Sequence, residues 1–463
     1  MSRSSLDATI VDKDNRGLVP SDTVGGGRAS VRVVTARVRW NRSHFSLFGV
    51  LAVVFLACTG CWSEEGWGPG LGYQNGLEAQ LDPGNVGALT LHWSAPPVGT
   101  PVGAPAAVAG GVVYQLGNPG PPLQTAPTLY AFDEASGAQL WATPLIAPGG
   151  WEPQDRSPAV GNILLGGSGL VFVDFNAPDT VGAVGANAQV LALRTSTGSI
   201  AWHAAFAEVS FIGSITLAPT VGLFTGGNAP ALLVTATDNN GNSQVLALDP
   251  QSGQEFWASP IGTYTTQASV GNGLAYVGGT KDTLYALDLH NGGAIKWTAK
   301  VDPKCSGCQL TTSPSVAGNM VVDGAGALQP PMPTLTAWAA FDAASGKLIW
   351  RTTQRLESRY PAAVGSGFAF VEDGLRVAAV SLANGTVDWT SPINSVASGP
   401  PSLANGVLYV PDFAQLLAMR AGDGQGLCTL TAPAKSSYWS EVAISDGQVF
   451  ASTDTQGLQV YGL

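Results

Sequence analysis

The stretch LYAFDEASGAQLW, residues 129–141, decides the fold because near-copies of it recur along the chain. Each copy begins with alternating apolar residues, passes through a turn that contains glycine, and ends on a bulky side chain. Aligned on the glycine four residues before that end, six copies finish on tryptophan: Trp141, Trp202, Trp257, Trp297, Trp350 and Trp389. A seventh copy, MRAGDGQGLC, finishes on Cys428, and Trp93 ends LTLHW without a preceding turn of this kind.

Each repeat predicts four antiparallel strands. A short strand such as Ser313–Val316 comes first, a longer alternating strand such as Gly273–Gly279 is the second, and the recurring phrase supplies the third strand, a hairpin and the fourth. Alternation bounded by Gly, Asn and Asp is typical of antiparallel strands. In the hairpin, the Asp133 carboxylate can cap the turn and Gly137 can supply the positive φ. We therefore interpret the turn carboxylates as structural groups.

The number of repeats predicts a closed ring. Four strands in about 40 residues make one propeller blade. The last unit has three strands and lacks its outer one, whereas residues 89–93 form an outer strand without a blade, so pairing the two hides both edges. The sequence thus predicts an all-β, eight-bladed β-propeller of four-stranded antiparallel blades over residues 89–463, preceded by a lead-in segment, residues 62–88.

Seven tryptophans occupy equivalent positions on the predicted outer strands. A platform for a flat cofactor would need one aromatic ring at the centre of the propeller, whereas a repeated outer position favours packing of each blade against the next. We interpret as structural the residues Trp93, Trp141, Trp202, Trp257, Trp297, Trp350 and Trp389.

The repeat resembles that of the PQQ-like (pyrroloquinoline quinone) β-propellers, which include quinoprotein dehydrogenases and the BamB lipoproteins of outer-membrane assembly. The resemblance covers about residues 66–463, and residues 72–93 resemble the segment that leads into the first blade of the dehydrogenases. It implies the propeller fold for this chain, but a fold does not by itself determine a function.

In the quinoprotein dehydrogenases the cofactor lies on the propeller axis with a calcium ion. Glu, Asn and Asp side chains serve the metal and the substrate there, and two adjacent cysteines often cover the cofactor ring. Resemblance to this branch of the family implies such a site. This sequence has no adjacent cysteine pair, its blades are nearly minimal, and no such acidic set can be assigned to the axis. We interpret the isolated carboxylates Glu208, Glu357, Glu372 and Glu441 as solvated loop charges. No catalytic, cofactor-binding or metal-binding residue and no cofactor is predicted, and PQQ with calcium belongs to the dehydrogenase alternative.

The N-terminal region, residues 1–61, reads as an extension followed by an export signal. The apolar run 46–57 follows a basic flank, as in signal peptides, and is too short for a membrane span of about 20 residues. The following CTGC resembles the lipobox of bacterial lipoproteins, with Cys61 as the lipidated residue and Cys58 as the alternative. A cleaved, unlipidated protein and an uncleaved signal anchor stay open, and the long leader is consistent with a start codon assigned too early.

The charge of the chain limits the classes of molecule that it can bind. Charged residues make up 11% of the chain and its net charge is −11, although eight of its 21 basic residues lie before residue 60. The remaining body is therefore strongly acidic and should repel nucleic acid phosphates. We expect no nucleic acid partner, contact with the membrane only through the N-terminal lipid, and a monomer.

The other cysteines suggest structural roles. Outside the cytoplasm, Cys305 and Cys308 in KCSGCQL predict a small disulfide. A haem-attachment motif would need histidine where Gln309 stands, and the four histidines of the chain show no zinc-ligand spacing. Cys428 takes a core position and is expected to stay a buried thiol.

The leading hypothesis is an exported, lipid-anchored scaffold that binds other envelope proteins through its loops, as BamB-like proteins do in outer-membrane protein assembly. The candidate contact loops are residues 142–156 with Trp151, 174–188, 298–311 and 324–335. The alternatives are a divergent PQQ-dependent dehydrogenase of alcohols or sugars and an extracytoplasmic sensor that binds a small ligand in the axial funnel.

Overall fold

The computed structural model describes most of the chain from Trp62 onward. The described residues are 62, 65–95, 105–117, 128–145, 152–153, 159–161, 169–176, 188–206, 209–223, 227–238, 240–263, 265–305, 308–310, 312–327, 334–356, 358, 360–434, 436–438 and 441–463. The apolar run 46–57, Cys58 and Cys61 lie outside this set, as do Trp151, Glu208 and Glu357.

Eight antiparallel sheets of four main strands follow one another along the chain, which confirms the predicted eight-bladed propeller. In order from the innermost to the outermost strand, blades 1 to 4 comprise Ala107–Ala109, Val112–Gly117, Thr128–Asp133, Gln139–Pro144; Ala159–Gly161, Leu170–Asn176, Ala188–Arg194, Ile200–Phe206; Val209–Gly222, Asn228–Asp238, Ser243–Leu248, Glu255–Gly262; and Ser269–Gly271, Leu274–Gly279, Thr283–Asp288, Ala294–Lys300. Blades 5 to 8 comprise Ser315–Ala317, Met320–Ala327, Thr334–Asp342, Leu348–Arg351; Ala363–Gly365, Phe368–Glu372, Arg376–Ser381, Val387–Pro392; Ser402–Ala404, Val407–Asp412, Gln415–Arg420, Gly426–Thr431; and Ala443–Ser445, Gln448–Thr453, Gly457–Gly462, Thr90–Ser94.

A few short elements supplement the blades. Glu152–Pro153 and Cys308–Leu310 pair with the second strands of blades 2 and 5, and Gln74–Asn75 runs parallel to the innermost strand of blade 7. Two 3₁₀ helices, Glu65–Trp67 and Val86–Ala88, belong to the lead-in segment. In the part of the chain that the structure describes, no helix is both long and apolar enough to cross a membrane.

The ring closes as predicted, through a strand from the other end of the chain. Thr90–Ser94 pairs antiparallel with Gly457–Gly462, so the N-terminal strand becomes the outer strand of blade 8. The observed strand begins one residue later than the predicted range 89–93. Every described blade therefore has its outer strand, and the sheet edges at the chain ends are covered.

The meander of four strands gives the propeller two unlike faces. On one, which we call the hairpin face, the first strand of each blade turns into the second and the third turns into the fourth. On the other, the loop face, the second strand connects to the third and each blade connects to the next. The long connections therefore all leave from the loop face.

The joint between blades is a tryptophan of one blade packed on the hairpin glycine of the next. A Cβ on any of these glycines would lie 2.5–2.7 Å from the indole ring. The pairs are Trp93–Gly137, Trp141–Gly198, Trp202–Gly253, Trp257–Gly293, Trp297–Gly346, Trp350–Gly385 and Trp389–Gly424. Only glycine leaves room for the ring, and all seven also have the positive φ that the hairpin needs.

Six of these seven indoles also donate their Nε1–H to a backbone carbonyl of the next blade, at 2.7–3.2 Å. Trp257 is the exception, and its buried Nε1 has no hydrogen-bond partner. The equivalent carbonyl, that of Leu289, instead accepts the Gly222 backbone N–H at 2.7 Å, because the long innermost strand of blade 3 reaches it.

In every blade, a β-bulge in the outer strand directly precedes the tryptophan, or Cys428 in blade 7. In all eight outer strands the ladder skips the residue directly before the tryptophan or Cys428. Without a bulge, residues alternate strictly between the two faces of a strand, so the extra residue re-aims the next side chain. The bulge therefore helps to direct each tryptophan toward the neighbouring blade.

The eighth joint is different. Cys428 of blade 7 faces the 3₁₀ helix Val86–Ala88, and its Sγ lies 3.4 Å from the Val86 carbonyl oxygen. Cys428 is half-buried, less enclosed than the predicted core thiol, and burial raises the pKa of its thiol.

Candidate functional site

The centre of the ring contains the chain's own lead-in segment. We call residues 62 and 65–75 the axial plug. Backbone N–H groups of the innermost strands donate to its carbonyls: Val108 to Trp62 at 2.6 Å, Val316 to Gly70 and Val364 to Gly72 at 2.8 Å, Leu403 to Tyr73 at 2.7 Å, and Val270 to Pro69. The plug thus contacts blades 1, 4, 5, 6 and 7 directly, and the Asn75 amide reaches blade 8 by donating to the Ile444 carbonyl at 2.7 Å.

Glycine and proline shape the plug. The segment GWGPGLGY holds Gly66, Trp67, Leu71 and Tyr73 at positive φ, which is uncommon for residues with a side chain. A Cβ on Gly66 would lie 2.8 Å from the Leu71 Cα, so the first turn requires glycine. This compact path lets adjacent carbonyls reach successive blades.

Glu441 fixes the entrance of the plug. The Gly66 N–H donates to both Glu441 oxygens, at 3.1 and 3.2 Å, and the Trp62 Nε1–H donates to one of them at 3.3 Å. Glu441 is 1% exposed, so the interpretation of this residue as a solvated loop charge is wrong. The same correction applies to Glu372, which ends the second strand of blade 6 and is also 1% exposed.

A cavity of about 160 Å³ lies beside the plug. Trp67, Pro69, Gln74, Val316 and Val364 line it together with four glycines. The Trp67 Nε1 is buried without a hydrogen-bond partner. The cavity could therefore offer the Trp67 N–H, the indole ring and the Gln74 side-chain amide to a small polar molecule, but it offers no charged side chain.

The described centre of the ring does not fit PQQ with calcium. PQQ is a tricarboxylate, yet none of the eight innermost strands contains a charged residue. Within the described ranges, no three His, Cys, Asp or Glu side chains come together to hold a metal ion. We therefore derive no reaction step through this cofactor.

The loop face has a recurring device that the sequence analysis missed. Carboxylates at or just beyond the ends of second strands accept hydrogen bonds from the connection that enters or leaves the blade. Asp412 accepts the N–H groups of Asn394 and Ser395 at 2.8 Å, and also the Ser395 hydroxyl. Asp454 accepts the Ser437 N–H and the Ser436 hydroxyl, both at 2.8 Å. These connections are held in defined conformations.

Two further carboxylates hold the connection between blades 4 and 5, one beyond the second strand of blade 4 and the other within the second strand of blade 5. Asp282 accepts the Asp302 N–H at 2.6 Å, and Asp323 accepts the Thr312 hydroxyl at 2.9 Å. Burial raises the pKa of Asp282 to about 6, and it raises the pKa of Asp323 well above the ordinary range. Each has one buried oxygen without a hydrogen-bond partner. The ionised charge of Asp282 also raises the pKa of Asp323, so the two are electrostatically coupled.

The predicted cysteine pair lies in this connection. Cys305 and Cys308 are at disulfide distance, with their Cα atoms 5.6 Å apart, and Cys308 is 1% exposed. The Cys308–Leu310 strand pairs with the far end of the second strand of blade 5. The predicted loop 298–311 is thus partly strand, and so is the predicted loop 324–335, where strands end at Ala327 and begin at Thr334.

On the hairpin face, four carboxylates, those of Glu78, Asp133, Glu134 and Asp446, influence one another electrostatically where blade 8 adjoins blade 1. Glu134 is 9% exposed, and burial, followed by the charges of Asp446 and Asp133, raises its pKa to about 7. Burial and the charge of Glu78 raise the pKa of Asp446 in turn. Glu78 itself accepts N–H groups from Gln80, Leu81 and Gly447 at 2.6–3.0 Å, which ties the lead-in segment to blade 8.

The partly exposed carboxylates of the hairpins behave as the sequence predicts. Asp133, Asp249 and Asp342 each accept a backbone N–H two or three residues later, at 2.8–2.9 Å. These hydrogen bonds lower the pKa of Asp133 and Asp342. They are turn formers.

The known proteins that this chain is similar to include propellers with two different functions, an assembly factor and a dehydrogenase. The family model described as outer membrane protein assembly factor BamB matches residues 241–463. No curated protein matches the chain in sequence. BamB from Moraxella catarrhalis is 16% identical, with a TM-score of 0.55 over 81% of this chain and 98% of that one. The quinohemoprotein alcohol dehydrogenase from Comamonas testosteroni is 14% identical, with a TM-score of 0.61 over 89% and 82%.

A third similar structure is the computationally designed Ika8 protein, 13% identical with a TM-score of 0.57 over 81% of this chain and 99% of that one. At such identities the likeness shows the fold alone. The chain is an eight-bladed β-propeller that carries the PQQ-like repeat, with a BamB-type family match over residues 241–463.

Proposed function

We propose that this chain is an exported, lipid-anchored scaffold of the cell envelope, which binds other envelope proteins through its loop face and serves in outer-membrane protein assembly. The observation that carries the proposal is the set of carboxylates that hold the loop-face connections, among them Asp282, Asp323 and Asp412. A preorganised loop loses less conformational entropy when a partner binds, so loops held in this way favour recognition.

The axial plug supports the same proposal. Its carbonyls occupy N–H groups of the innermost strands, where a flat cofactor of the dehydrogenase kind would have to be accommodated. The family match to BamB over residues 241–463 agrees with an envelope location. Lipidation at Cys61, with Cys58 as the alternative, rests on the sequence pattern described above.

A matched crosslinking experiment tests the scaffold. A photo-crosslinking amino acid is placed on the loop face at Leu375 or Gln456, and as a control on the hairpin face at Gln251, all three exposed. In the source cells we expect crosslinks from the two loop-face positions to components of outer-membrane barrel assembly, and none from position 251. Crosslinks to such components from position 251 alone, or from no position, would contradict the proposal.

A PQQ-dependent dehydrogenase is the second candidate, favoured by the fold likeness to the quinohemoprotein alcohol dehydrogenase. PQQ and calcium added to the purified protein would then give a bound chromophore and dye-linked oxidation of alcohols or sugars. We expect neither, because the innermost strands carry no charge to bind a tricarboxylate. Binding of PQQ with turnover would replace the scaffold by the enzyme.

A further inference from the structure

The lead-in segment enters and leaves the ring through the hairpin face. Trp62 forms an antiparallel bridge with Val108, and the innermost strand of blade 1 continues past Val108 to the hairpin at Gly110–Gly111. The antiparallel direction means that the N-terminal side of Trp62 faces that hairpin. At the other end, Gln74–Asn75 runs parallel to Ser402–Ala404, toward the same face.

Trp62 cannot serve as part of a flexible tether. Its side chain is 0% exposed, its carbonyl accepts the Val108 N–H at 2.6 Å, and its indole reaches Glu441. Cys61 is the next residue toward the N-terminus, and adjacent Cα atoms are about 3.8 Å apart. A lipid on Cys61 would therefore be attached within one residue of the packed core.

From this geometry we propose that the hairpin face is the membrane-proximal surface, held against the bilayer without a spacer, and that the loop face points away from the membrane. The inference rests on the proposed lipidation and adds an orientation to it. Lipidation at Cys58 would add three residues, at most about 10 Å of chain, and would leave the orientation unchanged.

The anchor, rather than surface charge, supplies the attraction to the membrane. The hairpins present partly exposed carboxylates such as Asp133, Asp249 and Asp342, and hydrogen bonds lower the pKa of Asp133 and Asp342, so those two stay ionised at neutral pH. Anionic headgroups would repel this face. The surface that it fits is a bilayer with zwitterionic headgroups and an apolar interior that accepts the acyl chains.

The test compares the two faces in the lipidated protein. A fluorescent coumarin amino acid replaces Gln251 on the hairpin face or, as the matched probe, Leu375 on the loop face. The protein is reconstituted in phosphatidylcholine vesicles that carry a nitroxide quencher on the headgroup. Because strands of six residues separate the faces by about 20 Å, we expect at least about twofold more quenching at position 251 than at position 375.

A spacer variant sharpens the measurement. Insertion of about 20 Gly and Ser residues between Cys61 and Trp62 gives a tether of on the order of 25 Å, and the difference between the two probes should disappear. Equal quenching without the spacer, or stronger quenching at position 375, overturns the inference.

The mass of the purified protein separates this result from a failure of the proposed anchor. If no acyl mass is found on Cys61, lipidation there is wrong, and the geometry is tested on the chain from Cys61 coupled through its thiol to a maleimide lipid. Cys428→Ser in that preparation removes the half-buried competing thiol. Stronger quenching at position 251 then supports the geometry, and equal quenching overturns it.

Discussion

Seven joints between blades are closed by a tryptophan against a glycine, and the eighth, between blades 7 and 8, is closed by Cys428 against a 3₁₀ helix. The difference follows from how the ring closes. The outer strand of blade 8 comes from the lead-in segment, so no hairpin with glycine precedes it. The helix Val86–Ala88 occupies that place and leaves room for a small side chain.

The comparison shows two ways of encoding the same contact. Both parts of a tryptophan joint belong to a sequence repeat of about ten residues, because the hairpin and the indole recur with every blade. The eighth joint connects residues 342 positions apart, and it forms only when both ends of the chain are in place. The eight joints should therefore respond differently to mutation.

The largest expected effect is the loss of an indole. Trp350→Ala removes a side chain that is 5% exposed and donates to the Leu382 carbonyl at 2.7 Å, and it should lower the free energy of unfolding by about 3–5 kcal/mol. Cys428→Ala, the matched change at the eighth joint, should cost about 1 kcal/mol because far less volume is removed. Urea titration followed by circular dichroism measures both, and equal losses would show that the joints are equivalent.

The glycine partner gives the next largest effect. Gly346→Ala places a Cβ 2.6 Å from the Trp297 ring at φ +69°, and it should cost roughly 2–3 kcal/mol. Gly318 has φ +60° but no atom within 4 Å of its virtual Cβ. Gly318→Ala isolates the backbone strain and should cost about 1 kcal/mol. If the two variants lose the same stability in thermal unfolding, the indole contact contributes nothing beyond the glycine conformation.

The features that recur locally could be predicted from the sequence. The phrase that ends at Trp141 contains the strand, the turn with Asp133 and Gly137, and the outer strand, so its seven copies, with the last unit completed by residues 89–93, predicted the eight blades. The axial plug could not be predicted, because Gly66 meets Glu441 across 375 positions and no periodicity links them. Asp323 and Asp412 were missed for a related reason, since their partners lie in irregular connections.

Conversion of the eighth joint into a copy of the others should fail. Cys428→Trp restores the repeat in sequence, but the indole would meet Val86 and its helix where the other joints offer a glycine hairpin. Overpacking of this kind should cost about 1–3 kcal/mol. Cys428→Ser keeps the size and serves as the control. A Cys428→Trp protein more stable than wild type in urea would show that the helix can give way.

The smallest effect depends on pH and distinguishes the joint at Trp93 from the other tryptophan joints. The Trp93 indole donates to the carbonyl of Glu134, whose carboxyl pKa is raised to about 7 by burial and by the charges of Asp446 and Asp133. Since this pKa lies above the unfolded value of about 4.3, the folded state binds the proton more tightly.

The stabilisation that comes from protonated Glu134 is complete below pH 4 and is lost as the pH rises through 7. Wild type should therefore lose on the order of 1 kcal/mol more than Glu134→Gln between pH 5 and 7.5, and the slope that stays in Glu134→Gln belongs to other buried carboxyls such as Asp282, whose pKa is about 6. Asp342→Asn is the control, because the lowered pKa of Asp342 places its titration below this range. Urea midpoints at the two pH values measure the slope, and an unchanged slope in Glu134→Gln would assign it to another group.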